Sequence, residues 1–322
     1  MNRKTLFNIL KVLVSLGLLY FIFRSLDMQA LLTVVRQANL WWLLAGLAMV
    51  LLGVVIRAVR WQILLDAIGV RVSIGELTSI YFIGFLFNNL LPSGLGGDAI
   101  RVIELNRHSE RGADAVTSVL VDRFVGLSAL QLIALVALLA DWGAVPLSVA
   151  YFTVAIFIVG MVGGFLLINR PLYQALQNRF RLFRLATSIK WIGNLFESFQ
   201  RYPLPALGKS YLVSLVFNIT LILTNLFIGQ GLGAQASLVH YAVFVPITSI
   251  VLLLPISFAG LGVRETAYSQ LFGQVGVPAE VAVSMSLLYY VFGNIVTGVI
   301  GGVIYLSRSA RDLVSEKSNI NS

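Results

Sequence analysis

The chain has 322 residues, 58% hydrophobic and 11% charged, with a formal net charge of +9 and no cysteine. No soluble domain of this size hides that much apolar surface, so the composition indicates an integral membrane protein without a separate catalytic or nucleotide-binding module. The basic excess gathers at the edges of apolar segments, a pattern of membrane orientation rather than nucleic-acid binding; the missing cysteines exclude disulfides and thiolate metal sites.

In chain order, apolar segments predict full crossings near residues 6–24, 39–59, 116–140, 146–168, 207–229 and 281–306, each near the ~20 residues a span requires. The first follows Arg3 and Lys4 without a small-residue cleavage site, so a retained helix is expected rather than a removed signal peptide. Between the second and third crossings lies a shorter apolar run, 77–91, broken by Pro92 and glycines. Its counterpart between the fifth and sixth, 239–254, is broken by Pro255. Runs of this length suit re-entrant arms, which are tolerated at membrane depth when buried in protein or lining a wet cavity. Each is followed by an amphipathic arm, 98–107 and 264–274, giving hairpins at 77–107 and 239–275. A basic loop, 169–206, joins the halves. Arg57, Arg60 and Arg71 share a side with this loop and read as anchors. That side is cytoplasmic by the positive-inside rule, with both termini on it and Arg24 and Arg36 as exceptions.

One pattern is written twice. Leu-Leu-Pro-Ser-Gly-Leu-Gly-Gly-Asp-Ala-Ile-Arg ends at Arg101, and Leu-Leu-Pro-Ile-Ser-Phe-Ala-Gly-Leu-Gly-Val-Arg ends at Arg264, an offset of 163 residues. Gly69 and Ser73 match Gly233 and Ser237 at 164, and Ser118 matches Ser284 at 166. Three crossings separate the helix at 39–59 from its partner at 207–229. An odd number gives opposite topologies, so 39–140 and 207–306 are expected to be inverted repeats, the plan of many secondary transporters. The expected fold is therefore an all-α polytopic membrane protein with about six full crossings and two re-entrant hairpins, about eight membrane segments.

Each second arm places a helix N-terminus near a hairpin tip, where free N–H groups and the positive dipole end favour an anion. Gly96 and Gly97, with Gly260 and Gly262, let backbone approach a ligand closely. Arg101 and Arg264 add charge with a geometry suited to phosphate. The alternative is a salt-bridged lock, Arg101 with Glu265 and Arg264 with Asp98, or Asp98 as a helix cap. Asn88 and Asn89 are placed to bind headgroup hydroxyls or to cap freed backbone groups. Asp122 and Arg123 are neighbours that cannot face each other on a helix, so each needs its own partner; with Glu104 they are gate candidates. Asn218, Asn225 and Asn294 read as interhelical glue, and Gly298, Gly301 and Gly302 as close helix packing. His108 and His240 are isolated, and no Walker lysine follows the glycines, so no metal, cofactor or ATP loop is expected.

The motifs Asn-Asn-Leu-Leu-Pro-Ser-Gly-Leu-Gly-Gly-Asp-Ala-Ile-Arg, Ser-Val-Leu-Val-Asp-Arg-Phe-Val-Gly and Pro-Ile-Ser-Phe-Ala-Gly-Leu-Gly-Val-Arg-Glu resemble the lysylphosphatidylglycerol synthase transmembrane (flippase-like, UPF0104) family over nearly the whole chain. In two-part members this region is linked to moving an aminoacylated phospholipid between leaflets, and a soluble C-terminal domain performs aminoacyl transfer. With about 16 residues after its last predicted span, this chain is expected to lack that domain. The resemblance carries the flippase-like role onto Pro92, Asp98, Arg101, Asp122, Arg123, Pro255, Gly260, Arg264 and Glu265.

These readings together point to a non-enzymatic inner-membrane transporter whose partner is an anionic phospholipid or other phosphate-bearing lipid, driven by a gradient, the membrane potential or lipid consumption. Homo-oligomerisation is left open. Two rivals remain: a membrane-embedded transferase using Asp98, Glu104 and Asp122 on a lipid-linked donor, and a non-catalytic subunit of an envelope-lipid pathway.

Overall fold

The computed structural model describes Leu16, Tyr20, Arg24 and residues 27–90, 96–109, 112–254, 257 and 260–320. Pro92, Pro255 and most of the predicted 6–24 crossing lie outside the described residues. Regular structure among the described residues is helical.

Helix α1, Met28–Arg36, begins where the Asp27 carboxylate accepts from the backbone N–H groups of Gln29 and Ala30 at 2.8 and 3.1 Å. Asn39 caps α2, Leu40–Ala67. This helix runs eight residues beyond the predicted 59, so Arg57 and Arg60 lie within it rather than at its end. Gly69, at φ 77°, turns the chain out of α2 toward α3, Ile74–Leu90. Then follow α4, Gly96–Ser109, and α5, Gly112–Ala140. A short 3₁₀ turn, Trp142–Ala144, leads to α6, Leu147–Ile168.

The basic loop contains three short helices: α7, Arg170–Arg179; α8, Arg181–Thr187; and α9, Lys190–Gln200. The second half opens with α10, Leu204–Gly231, of 28 residues like α2. Gly233, also at φ 77°, precedes α11, Leu238–Val251. Then come α12, Val263–Gly273, and α13, Ala279–Tyr290. A π segment, Val291–Val296, joins α13 to α14, Thr297–Ile320.

Among the described residues five stretches are long and apolar enough to cross a membrane: Leu40–Ala67, Asp114–Ala140, Leu147–Ile168, Leu204–Gly231 and Ala279–Arg308. Along them large apolar side chains face outward, Trp41, Val159 and Phe165 among them. Such faces are stable against lipid and not against water.

The two halves interlock. Helices α2 and α10 run antiparallel in close contact, with Gly46 against Ile228 and Gly53 against Thr220 and Phe217. Helix α3 of the first half lies on α14 of the second, and α11 of the second lies on α5 of the first. Small residues permit the α3–α14 approach. Gly298 faces Asn89, Gly301 meets the Phe82 carbonyl, and Gly302 touches Leu86, as the sequence predicted for these glycines. At the far end, Arg308 donates to both carboxylate oxygens of Glu76 at 2.6 and 2.8 Å.

A Cβ on Gly301 would collide with the Phe82 backbone, whereas one on Gly160 meets open space. Gly301→Ala should therefore destabilise the detergent-purified protein by about 1–3 kcal/mol, read as a lower thermal midpoint, with Gly160→Ala indistinguishable from wild type.

Candidate functional site

Four helices of the first half converge on one carboxylate. Asp122 is buried on α5, where its Oδ1 accepts from Arg60 Nε of α2 at 2.6 Å. Its Oδ2 accepts from the Tyr81 hydroxyl of α3 at 2.9 Å and from Arg101 Nη2 of α4 at 3.0 Å. A buried carboxylate needs such donors, since an unpaired charge away from water is costly. Arg101 extends the network to Asp98 on its own helix at 3.2 Å, and the other oxygen of Asp98 receives Arg123 at 2.8 Å. Asp122 and Arg123 thus have separate partners, as their adjacency required.

Aromatic faces hold the guanidiniums in place. Arg101 Cζ sits 4.2 Å from the Trp61 ring centre and 4.1 Å from that of Tyr81. Trp61 is fixed in turn by its indole N–H, which donates to Ser118 Oγ at 2.9 Å. Arg57 lies among the rings of Tyr81, Phe85 and Phe217, at 5.4, 4.9 and 4.8 Å. Among the described residues no carboxylate reaches Arg57 within salt-bridge distance, and its enclosed Nε has no hydrogen-bond partner. Gly126 makes room for Arg60, since a Cβ there would stand 2.5 Å from Arg60 Nη1.

These groups line a cavity of about 250 Å³ between α2, α3, α4, α5 and α10. Its lining includes Arg57, Arg60, Arg101 and Arg123 against Asp98 and Asp122. Among the described residues four guanidiniums face two carboxylates, an excess of two positive charges. A second cavity of about 140 Å³ shares Arg57, Phe85, Phe217 and Leu221 with the first and reaches Gly293 and Asn294 of the π segment.

The structure sorts the sequence candidates into two places. Arg101, Asp98, Asp122, Arg123, Asn88 and Gly97 line the first cavity. Asn88 accepts from the Gly97 N–H at 2.6 Å, capping a freed donor and joining α3 to the start of α4. Asn89 points the other way, donating to the Asn294 carbonyl at 2.7 Å. Gly96 is buried at the start of α4. Glu104 bonds Arg107 at 2.9 Å on the same helix and does not line the cavity.

Arg264, Glu265, Gly260 and Gly262 build the start of α12 instead. Glu265, fully buried, accepts from the Gly262 N–H at 2.6 Å and from the Ser286 hydroxyl at 3.0 Å, while Arg264 lies 4.7 Å from the Tyr290 ring centre. The expected crossed lock is therefore corrected: Arg101 pairs with Asp98 and Asp122, and Glu265 serves its own helix. A short cap is satisfied locally, which removes the need for a distant partner.

Sequence reading missed Arg57, Arg60, Tyr81, Trp61 and Gly126. Arg60 is buried and paired to Asp122 rather than anchored at a membrane edge. The available signal was the unassigned partner of Asp122 together with two arginines one turn apart in an apolar helix.

The family model for the lysylphosphatidylglycerol synthase TM region matches residues 8–301. This chain belongs to that family. A curated relative described as a UPF0104 membrane protein, from Pyrococcus horikoshii, is 23% identical over 321 residues, covering 92% of this chain and 96% of the relative. With five apolar spans among its described residues, this member of the lysylphosphatidylglycerol synthase transmembrane-region family is a multi-pass membrane protein.

Asp122→Ala leaves Arg60 and Arg101 buried without their shared counter-charge. The substitution should destabilise the protein by about 3–5 kcal/mol, seen as a large loss of thermal midpoint or of detergent-soluble yield. Arg123→Ala, at a half-exposed pair, should cost less than about 1 kcal/mol.

Proposed function

We propose that this protein translocates an anionic, phosphate-bearing lipid headgroup between membrane leaflets. The observation that carries this reading is the charge excess around the first cavity: four guanidiniums against two carboxylates, in a membrane region where unpaired charge is disfavoured. Arginine gives phosphate paired N–H donors in a planar fork, and its stacking on Trp61 and Tyr81 holds that fork still. Arg101 is the central contact, joined by Arg57 and Arg60; the charged groups of the site come from the first half, and Arg264 is not among them.

Alternating access around this site would use the interlocked halves. We take residues 39–140 and 207–306 as inverted repeats, with α3–α4 and α11–α12 as the re-entrant hairpins. The matching 28-residue helices, the paired glycines at φ 77° and the reciprocal packing of α3 on α14 and α11 on α5 support this. The π segment, a common feature of functional sites, gives the Asn294 carbonyl to Asn89 and so links one hairpin to the opposite half. The cytoplasmic assignment of both termini and of the 169–206 loop follows the basic residues there. A transferase reading gains no support, because Asp98 and Asp122 are bound to arginines and Glu104 stands outside the cavity.

Leaflet exchange of head-labelled anionic lipids in proteoliposomes tests the proposal, with lipid analysis afterwards. Wild type should exchange the lipids unmodified. Arg101→Ala should slow exchange about tenfold or more yet remain folded, because Asp122 keeps Arg60 and Tyr81. No exchange of any anionic lipid by folded wild type, or a chemically altered lipid, would overturn it.

A further inference from the structure

The cavity also specifies the kind of phosphate. Resting on the headgroup reading above, we infer that the lipid this site takes ends in a phosphomonoester, a near-dianion, and carries no amine. Three observations converge on this class. The lining holds two positive charges more than its carboxylates neutralise. A phosphomonoester carries about −1.5 to −2 at pH 7, because its second pKa is about 6, whereas a phosphodiester carries a single charge. Only the monoester brings the site close to neutrality.

The second observation concerns the carboxylates. Asp122 accepts from Arg60, Arg101 and Tyr81, and Asp98 is shared by Arg101 and Arg123. An incoming ammonium would have to compete with guanidiniums for either of them. A headgroup amine entering here would meet more guanidinium than carboxylate charge, which is a repulsive device against aminoacylated or ethanolamine-bearing lipids.

Arg57 is the third. It is the cavity guanidinium for which the described residues provide no carboxylate, its Nε is enclosed without a partner, and it stands in the wall shared by the two cavities. Aromatic faces on Tyr81, Phe85 and Phe217 orient it but do not neutralise it. A second negative charge on the ligand would supply what the protein withholds.

The test uses the full chain in detergent with four short-chain probes: phosphatidic acid and a polyprenyl monophosphate as monoesters, phosphatidylglycerol as a diester, and lysylphosphatidylglycerol as an amine-bearing diester. Calorimetric titration should give the monoesters about tenfold or more tighter binding than phosphatidylglycerol, with lysylphosphatidylglycerol weakest. The two monoesters distinguish a glycerolipid from a polyprenyl source of the same chemistry. Arg57→Gln should weaken monoester binding about tenfold and diester binding less than about threefold, collapsing the preference while the fold persists. Arg57→Lys, which restores the charge, should recover part of it. Equal binding of mono- and diesters, tight binding of the lysyl lipid, or an equal loss for both classes in Arg57→Gln would overturn the inference but leave the headgroup reading standing. Failure of every anionic probe to bind, with exchange also absent, would remove both.

Discussion

The Asp122 carboxylate, enclosed where α2, α3, α4 and α5 meet, accepts from Arg60, Tyr81 and Arg101 at 2.6, 2.9 and 3.0 Å. One anion thus ties together four helices and allows two guanidiniums to exist deep inside an apolar bundle. The remaining features follow from that arrangement. Arg101 is presented flat against Trp61 and Tyr81, Gly126 has no side chain because Arg60 occupies the space, and Gly97 approaches α3 closely enough to bond Asn88. A hydrogen-bonded, aromatic-lined cation keeps its charge where a solvated lysine would be drawn toward water.

Around this cluster the two halves share helix lengths and turn glycines, but not charge. Helices α2 and α10 have the same length, and the glycines after them the same φ. Yet at the repeat offset of 164 Arg57 and Arg60 correspond to Leu221 and Thr224, and at 166 Asp122 corresponds to Leu288. Only Arg101 has a charged counterpart, Arg264, and that residue sits with Glu265 at a helix start. The second half supplies Phe217 and Asn218 to the cavity wall.

Much of the architecture was legible in the sequence because it follows from local rules. Apolar runs of membrane length became helices, and positive-φ glycines ended α2 and α10. Short apolar runs stopped near Leu90 and Val251, with second arms resuming at Gly96 and Val263. Gly298 and Gly301 read correctly as packing sites, because a small residue in an apolar helix has few other uses. Pairings across long separations were not legible. Arg60 and Asp122 are 62 residues apart, and nothing in either neighbourhood names the other. Expecting Arg101 to reach Glu265 failed because Glu265 caps α12 through Gly262, a local bond that wins over a distant one.

By itself the sequence determined the class, the apolar helical segments and the presence of arginines beside them, since hydropathy and backbone chemistry act over short stretches. Tertiary structure alone decided which carboxylate each arginine meets, and therefore where positive charge is left over. That surplus is a property of four helices meeting around one buried carboxylate, because burial makes each charge answer to its nearest spatial neighbour rather than to its neighbour in the chain.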